Sequence, residues 1–184
     1  KYTTIINIIT PTINQSFQAR EDFTKNLSKR WELKSMILLS HVSATNPSLS
    51  ESAEIFQGSA LVGVNGKIKK RWEVGAFVQP TLNDQNFTIY PMASVAYLPF
   101  ENKNFVLGAN FAQNSHYPSL NDLYWSPGGN PDLKPESATN AELNLHINAK
   151  KKVPLYWTLD LAAFEGTVDN WILWQPTDAG YWSA

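Results

Sequence analysis

The sequence predicts an all-β chain: an antiparallel up-and-down transmembrane β-barrel, of which only a contiguous subset of about eight strands is present. Three observations predict it. Apolar and polar residues alternate with period two along much of the chain. Short, positively charged connections alternate with longer ones rich in Ser, Asn, Pro and Gly. Aromatic residues beside cations follow the short connections.

The alternation is most complete from Asn140 to Asn148. Ala141, Leu143, Leu145 and Ile147 take one face, and Asn140, Glu142, Asn144, His146 and Asn148 the other. Successive side chains of a strand point to opposite faces, so one face is oily and the other wet. Asn104 to Asn114 repeats the pattern, with Phe105, Leu107, Ala109 and Phe111 on the oily side. Leu155 to Ala163 does so with Trp157, Leu159 and Leu161, and Arg71 to Gln79 with Trp72, Val74, Ala76 and Val78. Glu142, Asn144, His146, Thr158 and Asp160 would then face a barrel lumen. The stretch from Lys1 to Phe23 is polar and β-prone and reads as one or two strands. Pro91 interrupts the strand from Asn86 to Leu98, and proline lacks a ladder donor, so an edge, a bulge or a register break is expected there.

Four connections read as short turns: Thr24–Ser28, Asn65-Gly66-Lys67, Pro99–Lys103 and Ala149–Val153. Asn-Gly favours hairpins because both residues tolerate positive φ. Three read as longer loops: Ala44–Ala53, Pro80–Asn86 and Ser115–Glu136. Outer-membrane barrels have this asymmetry, with short periplasmic turns and long extracellular loops. Just after the short turns stand Trp31, Trp72, Phe105 and Tyr156-Trp157, beside Lys29-Arg30, Lys69-Lys70-Arg71, Lys103 and Lys150-Lys151-Lys152. Aromatics at one height beside cations form an interfacial girdle. Charged turns and aromatic strand ends also occur in soluble proteins, so a soluble β-sandwich used for carbohydrate binding or adhesion is the alternative.

Composition sets outer limits. The chain has 184 residues, a net charge of -1, no cysteine and 7 Trp. The charge gives no reason to expect a nucleic-acid partner. Absence of cysteine excludes disulfides and thiolate metal sites. No run approaches the ~18–20 apolar residues of a membrane helix, a limit that barrel strands escape by alternating. The start, Lys1-Tyr2-Thr3-Thr4, shows no signal-peptide pattern and no initiator Met, so the chain reads as a piece of something longer. No nucleophile elbow, phosphate loop or zincin motif is present, so no catalytic residue, metal ligand or cofactor is expected. His41, His116 and His146 fall in separate elements, and Glu142 and His146 are too far apart along a strand, at ~3.3 Å per residue, to share a metal.

The segment Tyr117-Pro118-Ser119-Leu120-Asn121-Asp122-Leu123-Tyr124-Trp125, followed by Gly129-Asn130-Pro131-Asp132-Leu133-Lys134-Pro135-Glu136-Ser137, resembles a signature of the TonB-dependent outer-membrane receptors. In that family a P-S/T-x-N-E/D-L-Y stretch leads into G-N-P-x-L-K-P-E and then a strand, here Thr139-Asn140-Ala141-Glu142-Leu143. Phe164–Ile172 looks like the family's next ascending strand. Trp174-Gln175-Pro176 and Gly180-Tyr181-Trp182-Ser183 are similar to cobalamin-receptor-like members from Bacteroidetes. The resemblance implies that residues 1–184 are part of the barrel domain, with 115–137 an extracellular loop. It implies a barrel of about 22 strands, a plug domain ahead of it, and active import of a scarce nutrient: a cobamide, a siderophore-like chelate or a glycan. Its implied partners are outer-membrane lipid, the TonB complex acting through the plug, the small ligand, and in some members a surface lipoprotein.

The loop residues have two readings. As scaffold, Pro118, Pro131 and Pro135 fix φ, and Gly128 and Gly129 allow tight turning. Asn121 and Asp122 bond backbone amides in an Asx-turn. Leu120, Leu123, Tyr124 and Leu133 pack the loop over the barrel rim, and Asn130 and Glu136 belong to the same motif scaffold. As ligand contacts, Tyr117, Asn121, Tyr124 and Trp125 offer rings and an amide on an exposed loop.

Overall fold

The computed structural model describes residues 13–46, 48–49, 53–83, 86–100, 104–149 and 156–184. Eight strands form one antiparallel sheet in sequence order. They are β1 (Ile13–Asn26), β2 (Trp31–Thr45), β3 (Ala53–Ile68), β4 (Trp72–Asn83), β5 (Phe87–Tyr97), β6 (Phe105–His116), β7 (Glu136–Ala149) and β8 (Trp157–Asp169). A five-residue helix, α1 (Leu120–Tyr124), lies between β6 and β7, and β9 (Gln175–Pro176) pairs with β10 (Trp182–Ser183) beyond β8.

The register carries the alternation across the whole sheet. Leu143 of β7 faces Ala109 of β6 and Ala163 of β8. Val74 of β4 faces Gly66 of β3 and Val95 of β5. The alternating oily residues of β4 and of β6 to β8 thus share one side, and Ile37 of β2 lies on it. That side lies open: Leu143 is 61% exposed, Leu161 54% and Ile37 53%. Each strand packs chiefly against its sequence neighbours, and no second layer covers the oily side among the described residues. A sandwich would bury Leu143, Leu159 and Leu161 against a facing sheet. The soluble sandwich is therefore set aside. The sheet is a strip of barrel wall, unclosed.

The girdle falls where the sequence places it. Trp31, Trp72, Phe105 and Trp157 are the first residues of β2, β4, β6 and β8. Trp72 and Tyr97 are register partners, and their ring centroids lie 4.6 Å apart. Trp31 lies over Gly66, its partner on β3, where any Cβ would strike the indole.

That contact explains one departure from the sequence reading. Asn65-Gly66 is not a hairpin turn: both residues sit inside β3, opposite Gly75 and Val74. The turn comes later, at residues 69–71, where Lys69 takes a positive φ of 56°. Gly66 serves close packing rather than chain reversal. The first turn is displaced too, since β1 runs to Asn26 and Ser28 caps the bend through its Oγ, which accepts from the amides of Arg30 and Trp31 at 3.2 Å each. Pro80–Asn86 is mostly strand: β4 reaches Asn83, with Pro80 opposite Ile89. Asn83 and Asn86 close the reversal, the amide of Asn86 donating to the Asn83 side chain at 2.7 Å. Phe164 does not open a new strand, because β8 runs unbroken from Trp157 to Asp169 and pairs with β7 throughout.

Pro91 behaves as its chemistry requires. It pairs with Val78 of β4, but the β5–β6 ladder begins only at Met92. Residues 1–12 of the stretch expected to hold one or two strands, and the cations Lys103 and Lys150–Lys152, lie outside the described residues, as does Leu155.

Candidate functional site

The signature loop folds at the long-loop end of the sheet. Ser119 caps α1, and its Oγ accepts the amide of Asp122 at 3.3 Å. Asp122 reciprocates: its Oδ2 accepts the Ser119 amide at 2.8 Å and the Ser119 hydroxyl at 2.7 Å. This is a capping box, not the Asx-turn expected from Asn121 and Asp122. The helix itself is a second departure, and the Ser119-x-x-Asp122 spacing was its signal in the sequence. The Asx-type bond falls to Asn130, whose side chain accepts the amide of Asp132 at 3.0 Å.

The other Asp122 oxygen, Oδ1, accepts the indole N–H of Trp174 at 2.7 Å. Burial pushes the Asp122 carboxyl up. Donation from Trp174 and Ser119, with the charge of His116, outweighs it and holds the group below its ordinary range. Glu136 works in the same way one strand along. Its Oε1 accepts the amide of Ile172 at 2.7 Å, and its Oε2 lies 3.1 Å from His116 Nδ1. Pro135 contributes its carbonyl, which accepts from Asn170 Nδ2 at 3.4 Å.

A third tie runs through the glycines. Gly128 has φ +119°, closed to most L side chains, and a Cβ there would strike the Trp182 carbonyl. Its own carbonyl accepts the amide of Ala184 at 2.9 Å. Gly129 donates to the Trp125 carbonyl at 2.6 Å, and Asn130 to that of Asp122 at 2.8 Å. Trp125 bridges to Leu49, and the Ser126 amide donates to Ser48 at 2.7 Å. Three segments that are remote in sequence are therefore clasped together: residues 48–49, 117–136 and 170–184.

The candidate ligand contacts divide. Tyr117 and Tyr124 line a recess of about 90 Å³ with Glu54, Asn83, Asn86 and Leu133. Pro118, Leu123 and Pro135 complete its wall. The Tyr117 hydroxyl is buried, and burial together with the adjacent Tyr90 pushes the phenol up. Asn121 is exposed, and Trp125, the C-cap of α1, is 38% exposed and does not line this recess. Leu120 is half-buried and Pro131 exposed. Glu54, Asn83 and Asn86 were not legible as site residues, because they come from other hairpins and carry no local motif. A second cavity, about 570 Å³, opens on the polar face near the short turns, lined among others by Arg30, Asn65, Ser94, Asn110 and Asn144. Glycines deepen it: a Cβ on Gly75 would meet Ser94 and Asn65, and one on Gly108 would meet Asn144. His146 stands on the polar face 2.6 Å from Asp160.

An open antiparallel wall, oily outside, polar and hollowed inside, girdled at one end and clasped by loops at the other, defines a segment of an outer-membrane β-barrel. Residues 62–183 match the family model for the TonB dependent receptor-like β-barrel. The chain belongs to the TonB-dependent receptor family and is part of its outer-membrane barrel domain. Vitamin B12 transporters BtuB from Photobacterium profundum and Vibrio vulnificus are 36% and 35% identical to it over 73 and 63 residues, covering 40% and 34% of this chain. The siderophore receptor PirA from Pseudomonas aeruginosa superimposes with a TM-score of 0.76 at 15% identity, over 95% of this chain and 34% of that one. The chain spans about a tenth of the length of the two curated relatives, 11% and 10%.

Proposed function

We propose that the protein carrying this barrel segment imports a scarce nutrient across the outer membrane, driven by the TonB complex acting through a plug domain. The observation that carries this reading is the Tyr117–Ser137 block, folded as a clasp on the long-loop rim of a wall whose family is that of such receptors. The hollowed polar face supports a plug, since it offers amides and charges to a folded partner. The ligand class is a cobamide, a siderophore-like chelate or a glycan. Likeness to the B12 transporters makes the cobamide the first to try. Within the loop, Tyr117, Tyr124 and Trp125 supply rings and Asn121 an amide to the ligand; the prolines, Leu120, Asp122, Leu123, Gly129, Asn130, Leu133 and Glu136 hold the loop in shape. A surface lipoprotein capping the rim is compatible with this arrangement.

The experiment is uptake of labelled cyanocobalamin by cells expressing the full-length protein, in hosts with and without TonB. A ferric hydroxamate chelate and an oligosaccharide are run beside it. Accumulation of one of them only with TonB supports the reading, and its reduction in Tyr124→Ala and Trp125→Ala supports the loop contacts. Uptake of small solutes at equal rates in both hosts would mark a passive channel and defeat it.

A further inference from the structure

The recess against the signature loop has walls of two kinds. The loop supplies an apolar body: Leu123 and Leu133, two prolines, and the rings of Tyr117 and Tyr124. The neighbouring hairpins supply polar groups: Glu54 near the start of β3, Asn83 at the end of β4, and Asn86 just ahead of β5. No cation lines it among the described residues. A mostly apolar hollow with a few convergent polar groups is the usual form of a small-ligand site.

The polar groups are held in place. The Asn83 side chain accepts the Asn86 amide at 2.7 Å, and the Asn83 amide donates to the Asn86 carbonyl at 3.0 Å. Asn86 is thereby fixed beside the recess, and it is exposed. Glu54 lies with its Oε2 3.4 Å from His41 Nε2, and its side chain is 76% exposed, so an entering group can reach it. A carboxylate only accepts hydrogen bonds, whereas a side-chain amide both donates and accepts. Together they match a carboxamide: its N–H donates to Glu54, and its carbonyl accepts from Asn86. A hydroxyl meets the same pair. An anionic group would lie against Glu54 and be repelled. An ammonium would lose its hydration to apolar walls. At about 90 Å³ the recess has room for roughly three water molecules of ~30 Å³ each, enough for one short arm of a ligand and too little for a ring system.

We propose that this recess is a subsite for one uncharged arm of the nutrient, tipped with a carboxamide or a hydroxyl, and that Glu54 and Asn86 are its specificity-determining residues. The alkyl stem of the arm lies on Leu123, Leu133 and the tyrosine rings, and its tip bonds to Glu54 and Asn86. Glu54 turns away a carboxylate or catecholate arm. A cobamide, whose corrin rim carries primary amides, has arms of this kind, and so does a neutral glycan. A polyanionic chelate has none. The proposal rests on the import reading and narrows its ligand class.

The test titrates the full-length receptor in detergent with cyanocobalamin, with the monocarboxylic acids made by hydrolysing one of its side-chain amides, and with maltohexaose as the hydroxyl-tipped source. If the amide source is right, the wild type binds cyanocobalamin and binds one of the acids about tenfold more weakly, the repulsion of a carboxylate beside Glu54. Glu54→Gln then weakens cyanocobalamin by up to about tenfold, the loss of a bond to a charged acceptor, and removes the penalty on that acid. Asn86→Ala weakens cyanocobalamin and leaves the penalty in place. Asp178→Asn, which removes an exposed acid outside the recess, changes neither. If the hydroxyl source is right, maltohexaose binds instead and is weakened by Glu54→Gln and Asn86→Ala. Acids that all bind as tightly as cyanocobalamin, an affinity unmoved by Glu54→Gln, or failure of both neutral probes to bind overturns the subsite. Uptake that still requires TonB after such a result leaves the import reading standing, and loss of the TonB requirement with a responsive recess defeats only that reading.

Discussion

Asp122 carries more of the loop than its size suggests. One carboxylate accepts an amide, a hydroxyl and an indole N–H, from Ser119 on its own turn and from Trp174 more than fifty residues away. Asp122→Ala therefore removes the helix cap's reciprocal bond and strands the Trp174 donor. We expect a local loss of about 1–2 kcal/mol, the low end for bonds to a charged group because the site is partly open to water. Hydrogen exchange in the full-length protein would show faster exchange over 117–136 and 170–184 and none over β7 and β8. Uniform acceleration of the barrel would refute a local clasp. The pH dependence has a definite sign. The folded carboxyl lies below its unfolded value of about 3.9, so the folded state binds fewer protons in that range. The stabilisation is complete above that unfolded value and is lost as pH falls through the lower folded one. Protection of these amides, corrected for the intrinsic pH dependence of exchange, should loosen as pH falls below the ordinary carboxylate range.

At the scale of hairpins, what the sequence discloses depends on whether an element's cause is local. Strands β6, β7 and β8 were legible because alternation is a property of neighbouring residues. The girdle was legible because it recurs at a fixed offset from each turn. Gly66 was misread because its cause is Trp31, on another strand. The reach of β4 through Pro80 was hidden because loop-like composition says nothing of the partner that Ile89 supplies. The clasp was legible only as a motif; its partners Leu49, Ile172 and Trp174 were placed by the fold. The Gly66 account can be tested within the hairpin. Gly66→Ala should destabilise the barrel by about 1–3 kcal/mol in urea, the usual cost of overpacking a close contact. In a Trp31→Ala background the same change should cost far less, because the ring it displaces is gone. Equal costs in both backgrounds would show that Gly66 is needed for backbone conformation instead.

Over the whole sheet, the two faces make opposite demands on the same strand. Leu143 and Asn144 are adjacent in β7, near its middle, and both are flanked on each side by paired strands. Leu143 points to the oily side, is 61% exposed, and has Ala109 and Ala163 beside it. Asn144 points to the polar side and lines the large cavity with Gly108. In water an exposed leucine replaced by lysine would be tolerated or welcome. In a membrane wall it places an ammonium near the bilayer midplane, at a cost of about 2–4 kcal/mol. Asn144→Lys keeps its charge among water, amides and the Glu142 carboxylate, which lies within reach through its bond to Asn144 at 2.9 Å. Urea unfolding of the full-length barrel in lipid vesicles should therefore show a large loss for Leu143→Lys and a small one for Asn144→Lys. Losses of the same size would mean that the two faces meet the same medium, which a barrel wall between lipid and lumen does not allow.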